Sequence, residues 1–452
     1  MLNNTSNVSQ SSLNLDDWLC RIRDLHDKDI DMGLARISDV ADIMGLRHLS
    51  AKVVLIAGTN GKGTTSRFIE AYLLSLGLKV GLFNSPALMH YTETVRVNGE
   101  ALDDIEHIKA FDAIWHARGD VVLTEFEFST LAALYLFAQS DADVVLVEVG
   151  MGGRLDSTNV VEPDVSVLTT VALDHIGFLG DTREAIGFEK AGIFRAGKLA
   201  IVGELDIPKS VIEQADRIGA RLMCVNQHFS YQLDDSHPQT WCYTADGYTL
   251  DKLSLPNIPM QNVATALACL SHLDVPIHSA NVNEVLANLT VEGRFETIFD
   301  EPQVIVDVAH NIQAIEHMVK KVEVLAQQET VYARPVYAIV GMFKDKDIDG
   351  AISVVKSVVD KFYICQLDSP RGASKAQLVA SLEKHHCGPY SCYSDVASGL
   401  SAAIDEATNL QQQPQNKPQN GQQEQPQAPL ILVFGSFYTV AGAKQYFKSI
   451  ST

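Results

Sequence analysis

Cysteine is scarce in this chain and scattered. Its seven residues (Cys20, Cys224, Cys242, Cys269, Cys365, Cys387 and Cys392) form no C-x-x-C pair and are odd in number. That argues against a disulfide framework or a metal cluster and for reduced thiols packed as small apolar side chains. Positive charge is in deficit: 35 Lys and Arg stand against 56 Asp and Glu, a formal charge of −21. Such a surface repels polyanions, so a nucleic-acid partner is not expected. No apolar run approaches the roughly 18 residues of a membrane span, so no membrane partner is expected either. The start, "MLNNTSNVSQSS", lacks the basic and apolar segments of a signal peptide, and a cytoplasmic location is expected.

What is present is ample for packed cores: 46% apolar residues in a chain of 452, long enough for two or three domains. "DDWLCRIRDLHDK" and "LARISDVADIMGL" carry apolar residues at helical spacing. Then fully apolar strands ("KVVLIAG", "VGLFNS", "ADVVLVEVG", "DVSVLTTVA", "KLAIVG") alternate with helices such as "EFSTLAALYLFAQ" and "TREAIGFEKAGIFR". Such strands predict a parallel sheet covered on both faces. Short alternating segments over 225–255 predict a small β insert, and "PMQNVATALACLSHL" restores a helix. A second strand–helix alternation begins near Gln303 and closes with "LILVFGS" and "TVAGAKQYFKS". With the glycine-rich, lysine-bearing turn "AGTNGKGTT" after its first apolar strand, the predicted fold class is α/β: an N-terminal P-loop-type ATPase domain over 1–297 with a mostly parallel sheet, and a smaller Rossmann-like domain over 298–452. The Gln/Pro segment 411–429 is predicted to be a disordered loop within the second domain.

The motif richest in chemistry is "AGTNGKGTT", placed between a buried strand and a helix. Gly58, Gly61 and Gly63 let backbone N–H groups converge on an anion at a helix N-terminus, while Lys62 supplies positive charge and Thr64 or Thr65 a hydroxyl. The alternative is a tight turn that needs glycine for geometry alone. The spelling departs from the usual P-loop: Ile56 stands at the first glycine position, and Gly63 follows the lysine. Glu148 ends an apolar strand, where a carboxylate needs a cation, either a magnesium ion or a structural partner. Asp174 and His175 follow another strand on the same rim. Lys190 lies in an apolar helix, where a snorkelling lysine is the plain reading. Ser85, at a further strand end, is a hydroxyl ligand or a turn residue. In the second domain Asp307, His310 and Asn311 end a strand, and Arg294 lies near the boundary, where an arginine can neutralise charge in phosphoryl transfer. "GMFKDKDIDG" and "LDSPRGAS" follow strands in the same way. In parallel sheets such carboxyl-end positions face the ligand crevice.

In this order "GTNGKGTT", "FNSPALMHYTETVRVNG", "LTEFEFSTLAAL", "EVGMGGRLDSTN", "ALDHIGFLG", "EKAGIF", "GRFE", "DVAHN", "GMFKDKD" and "FGSFYTVA" resemble the motifs of the Mur-ligase superfamily, and within it the bifunctional dihydrofolate synthase/folylpolyglutamate synthase family. The resemblance runs from about Trp18 to the C-terminus. It implies an ADP-forming amide ligase in which ATP phosphorylates a carboxylate and the amino group of L-glutamate attacks the acyl phosphate. By the same resemblance Thr59, Asn60, Gly61, Lys62, Gly63, Thr64, Asn262, Arg294, Asp307 and His310 would bind ATP. Ser85 and Glu148 would ligate one Mg2+, Glu148 and His175 a second, and Lys190 would be carbamoylated beside them; a monovalent cation is a further candidate. Lys62, His175 and Lys190 would serve catalysis. Asp24, Leu25, His26, Asp27, Thr124, Glu125, Phe126, Glu127, Leu155 and Asp156 would contact dihydropteroate, with Phe126 placed to stack on its flat ring. The implied partners are dihydropteroate, folates, ATP and L-glutamate, and the expected state is a monomer. The chain departs from the family's spelling at Glu292, at "NIQA" after His310, and at Ala87 and Met89, which bears on pocket detail rather than reaction class. A folylpolyglutamate synthase alone, a ligase acting on a UDP-linked precursor and a non-catalytic nucleotide-binding regulator are the competing readings. The missing UDP-binding domain argues against the UDP-linked case, and intact Lys62, Glu148, His175 and Lys190 against the regulator.

Overall fold

The computed structural model describes residues 13–28, 30–328, 334–412 and 428–450. The expectations for the first twelve residues and for most of the Gln/Pro segment lie outside those residues. The helix Val396–Gln412 runs into the beginning of that segment. The chain divides into two compact units, Met1–Leu289 and Thr290–Thr452.

The first unit is built on an eight-stranded sheet. In chain order its strands are β1 (Lys52–Ala57), β2 (Val80–Phe83), β3 (Val95–Val97), β4 (Glu100–Ala101), β5 (Val144–Glu148), β6 (Val165–Leu168), β7 (Leu199–Val202) and β8 (Arg221–Cys224). The spatial order is β4-β3-β2-β5-β1-β6-β7-β8. β2, β5, β1, β6, β7 and β8 pair in parallel, and β3 and β4 extend the β2 edge antiparallel. Apart from Lys52 at the start of β1, the central strands are buried because helices cover both faces, which explains their Val/Ile/Leu-rich spelling. Val53, Leu55 and Ala57 point to one face and join a core with Trp18, Ile37, Phe111 and Phe128. Alternation sends Val54 and Ile56, also buried, to the other face. The helix Lys62–Ser75 packs against β2 and β5 and against the helices Met260–Leu270 and Ser279–Asn288. The insert is a three-stranded antiparallel sheet of β9 (Phe229–Leu233), β10 (Thr240–Ala245) and β11 (Tyr248–Ser254).

The second unit carries a six-stranded sheet of β12 (Glu296–Asp300), β13 (Gln303–Asp307), β14 (Val336–Val340), β15 (Lys361–Cys365), β16 (Tyr390–Tyr393) and β17 (Leu430–Phe434), ordered β12-β13-β17-β14-β15-β16. Only β12 is antiparallel to its neighbour. Its core gathers Ile305, Met318, Ile339-flanking Ala338 and Val340, Phe362 and Phe434. All seven cysteines are free, and no helix of the described residues is long and apolar enough to cross a membrane.

Candidate functional site

Three adjacent strands, β5, β1 and β6, end together: Ile56 pairs with Glu148 and Ala57 with Leu168. The segments that follow them must therefore meet at one rim. After β1 the chain turns into the helix Lys62–Ser75 through Gly58 and Gly61, both in left-handed backbone conformations. A methyl group on Gly58 would lie 1.8 Å from Thr169 Oγ1, and one on Gly61 would lie 2.6 Å from Asn262 Oδ1, so only glycine fits at either position. Thr59 and Asn60 are pinned to the end of β6: Thr59 N donates to Thr170 O at 2.8 Å and Asn60 N to Thr170 Oγ1 at 2.9 Å. No side chain caps the helix. First-turn N–H groups have no partner inside a helix and carry the positive end of its dipole, so this end suits a phosphate.

Lys62, Glu148, Asn84 and Asn262 gather around the loop. Lys62 Nζ donates to Gly58 O at 3.0 Å and lies 3.9 Å from Glu148 Oε1. Glu148 is buried and accepts from Asn84 Nδ2, which also donates to Ser66 Oγ at 3.0 Å. Ser85, next to Asn84, sits just past β2, whose Phe83 pairs with Val147. Asn262, from the helix Met260–Leu270, donates to Thr64 Oγ1 at 2.7 Å and holds the loop from the far side. His175 lies beyond β6 with φ of 50° and donates its backbone N–H to Asp174 Oδ1 at 2.8 Å. Lys190 is 3% exposed. Burial, and then the charge of Lys62, bring its pKa down to about 7, against the opposing pull of Asp174 and Asp156.

The helix Arg183–Ala191 that presents Lys190 is fastened to the loop after β5. Arg154 N donates to Glu189 O at 2.7 Å, and its guanidinium reaches Glu189 Oε1 at 2.8 Å and 3.1 Å. Asn159 Nδ2 donates to both Arg154 O and Gly192 O. The sequence placed Arg154 in a motif without a role for it, and Asn84 had no signal of its own. Only the fold puts them against Glu189 and Glu148.

The second unit assembles its own set. Asp307 accepts from Phe295 N at 3.0 Å and Ala309 N at 2.8 Å. Burial raises its pKa, and Arg294 and Lys321 work against that rise. Arg294 packs 5.5 Å over Phe437, and His310 Nδ1 donates to Val308 O at 2.8 Å. Lys321, absent from the sequence reading, enters through the helix Ile312–Gln328. The loops after β14 and β15 join through Lys344 N to Arg371 O at 2.9 Å, with Arg371 paired to Asp345.

The segments expected at dihydropteroate converge within the first unit. Arg23 Nε reaches Glu125 Oε2 at 3.3 Å, Arg36 reaches Glu127, and Gly33 N donates to Leu155 O at 3.2 Å. Asp24 caps the helix Leu15–Arg23, and Leu25 packs on the core. His26 Nδ1 accepts from Lys28 N at 3.0 Å; Asp27 is exposed at the surface. Thr124 and Glu127 have a local duty that pattern reading did not anticipate: they close a capping box on the helix Glu125–Gln139. Phe126 stacks on Phe83 with centroids 6.1 Å apart, and a methyl on Gly150 would strike it at 2.5 Å, so one face of that ring is already taken. Asp156 is buried, accepts from Met151 N and Thr158 N, and has its pKa raised by burial.

The sequence matches the Mur ligase middle domain over residues 56–270 and the Mur ligase glutamate ligase domain over residues 293–415. The dihydrofolate synthase/folylpolyglutamate synthase of Escherichia coli (strain K12) is 41% identical over 432 residues, covering 96% of this chain and 95% of that protein. The solved structure of E. coli FolC in complex with DHPP and ADP superposes with a TM-score of 0.88 at 40% identity, covering 98% of this chain and 100% of that one. A bifunctional folylpolyglutamate synthase/dihydrofolate synthase with Mn, AMPPNP and L-glutamate bound gives 0.85 at 38% identity, covering 97% and 99%.

Proposed function

The chain belongs to the dihydrofolate synthase/folylpolyglutamate synthase family of Mur ligases, and on that premise we propose the division of labour among its residues. It is an ATP-dependent ligase that joins L-glutamate to a pterin carboxylate, first that of dihydropteroate and then the γ-carboxyl of folates, releasing ADP. The observation that carries the assignment of roles is the meeting of Lys62, Glu148, Asn262 and the glycine turn at one rim of the first sheet.

Thr59, Asn60, Gly61, Lys62, Gly63 and Thr64 cradle the phosphates, with Asn262 fixing the turn. Lys62 exchanges its bond to Gly58 O for the transferred phosphoryl group and neutralises charge there. Arg294, Asp307 and His310 supply the nucleotide contacts of the second unit. The donor set of the first unit fits a divalent cation: a buried carboxylate on Glu148, the ring of His175 and the hydroxyl of Ser85. Lys190 fits as an anion, which its neutral amine becomes by adding to carbon dioxide and releasing one proton to solvent, giving a carbamate; a pKa near 7 leaves much of that amine neutral and nucleophilic at neutral pH. Among the described residues His, Cys, Asp and Glu do not gather in a group of three or more. Bound there, two magnesium ions would offset charge as carboxylate oxygen meets phosphorus; a monovalent cation is a further candidate. Asp24, Leu25, His26, Asp27, Thr124, Glu125, Phe126, Glu127, Leu155 and Asp156 surround the pterin. The acids accept its N–H groups, and Phe126 offers the edge or face that Phe83 leaves open. Small molecules as partners, a monomeric state and a cytoplasmic location complete the reading.

The test supplies dihydropteroate, and separately tetrahydrofolate, with ATP, magnesium and L-glutamate, and weighs the products. Each acceptor should gain one glutamate with matching ADP release. Product from tetrahydrofolate alone would leave a folylpolyglutamate synthase. ATP turnover stimulated only by a UDP-linked muramyl acceptor would overturn the assignment.

A further inference from the structure

One guanidinium ties together two of the segments that the pterin assignment draws on. Arg36, in the first turn of the helix Ala35–Met44, places NH1 2.7 Å from Asp31 Oδ2 and donates from NH2 to Asp31 O at 2.6 Å. From its other edge Nε donates to Glu127 Oε2 at 3.4 Å, and NH2 lies 3.2 Å from Glu127 Oε1. Asp31 is also the hub of its own loop, 3.5 Å from His26 Nε2 and 3.4 Å from Lys28 Nζ. Two residues beyond Asp31, Gly33 N binds Leu155 O. Asp31, with His26 and Lys28 gathered on it, is thus held at Glu127, and Gly33 is held beside Asp156.

Helix capping does not account for this arrangement. The capping box employs Glu127 Oε2 alone, which accepts from Thr124 N at 2.8 Å. Oε1 is buried and finds no hydrogen bond of good geometry, with Arg36 as the cation beside it. A carboxylate 3% exposed needs such a cation. Arg36 meets that need while its planar fork fixes the direction of approach, which a lysine cannot do.

We propose that Arg36 is a positioning residue for the pterin end of the substrate. It clamps Asp31, and through it His26 and Lys28, onto the first turn of the helix Glu125–Gln139, setting the distance between His26 and Glu127 and hence the width of the pocket. The proposal rests on reading residues 24–27, 124–127 and 155–156 as pterin contacts. The ATP loop, Glu148 and Lys190 are held by other bonds, so pterin affinity should move alone.

The experiment compares Arg36→Met, Arg36→Lys and Asp31→Asn with the wild type, by steady-state kinetics and by calorimetric titration with dihydropteroate. Arg36→Met and Asp31→Asn should each raise the KM for dihydropteroate about tenfold, the factor that about 1.4 kcal/mol represents, while the KM for ATP stays within about twofold. Arg36→Lys, which keeps the charge and loses the fork, should fall between. A folded Asp31→Asn enzyme with unchanged pterin KM overturns the clamp even where Arg36→Met fails to fold. A parallel rise in the KM for ATP also overturns it, since that marks general loosening. Wild-type protein that does not bind dihydropteroate overturns the pterin assignment together with the clamp. Wild-type binding with unaltered variants removes the clamp alone.

Discussion

Lys190 is the residue whose identity makes least sense by itself. A buried ammonium next to Lys62 is disfavoured twice, by desolvation and by like charge, and both bring its pKa down to about 7. Its helix spelling gave only a snorkelling lysine; the partners came from loops that follow other strands. Replacing it by alanine removes a buried group with little change of shape on the surface. Lys190→Ala should lower kcat about a hundredfold or more, as loss of an electrostatic stabiliser does, with an unaltered circular-dichroism spectrum. In wild-type protein equilibrated with labelled carbon dioxide, a carbamate carbon resonance should appear and be absent from the variant. A fully active Lys190→Ala enzyme would remove Lys190 from the reaction.

Elements place these residues because parallel strands end in step. The glycine turn after β1 was legible because three glycines and a lysine before a helix leave few alternatives. That Thr169 and Asn262 press on it was not, since they arrive from β6 and from a helix roughly two hundred residues away in sequence. Gly58→Ala tests the turn directly, because the added methyl would fall 1.8 Å from Thr169 Oγ1. The variant should lose about 1–3 kcal/mol of stability, as overpacked sites do, and calorimetry should find ATP binding weakened. Unchanged stability and affinity would mean that the turn adapts freely. The strap of Arg154 to Glu189 acts at the same scale, turning the helix Arg183–Ala191 so that Lys190 faces inward.

At the scale of the whole molecule, each unit holds a histidine that cannot easily take a proton, buried at His107 and half-buried at His317. His107, against Tyr91 and Phe111, and His317, on the helix Ile312–Gln328, are both pushed down to about 4 by burial. Asp104 and Glu106 oppose the shift at His107, while Lys321 and Lys320 add to it at His317. The folded pKa is below the unfolded value of 6.5, so as pH falls the unfolded chain takes up these protons first. Their contribution is fully present above about pH 6.5 and lost progressively toward pH 4, by up to about 3 kcal/mol for each histidine. Urea midpoints should therefore drop between pH 7 and pH 5, and His107→Phe should flatten that slope. An identical slope in the variant would clear His107 of the effect.

The sequence by itself determined the local facts: buried parallel strands, a glycine turn before a helix, thiols kept apart, and two α/β units in succession. These depend on neighbours in the chain and on side-chain periodicity, so they can be read without coordinates. Tertiary structure alone decided that Asn84 meets Glu148, that Arg154 steadies the helix of Lys190, and that Arg36 joins Asp31 to Glu127. Each of those pairs spans different strands or helices, and only the register of one sheet and the packing of its covering helices bring their side chains within bonding distance.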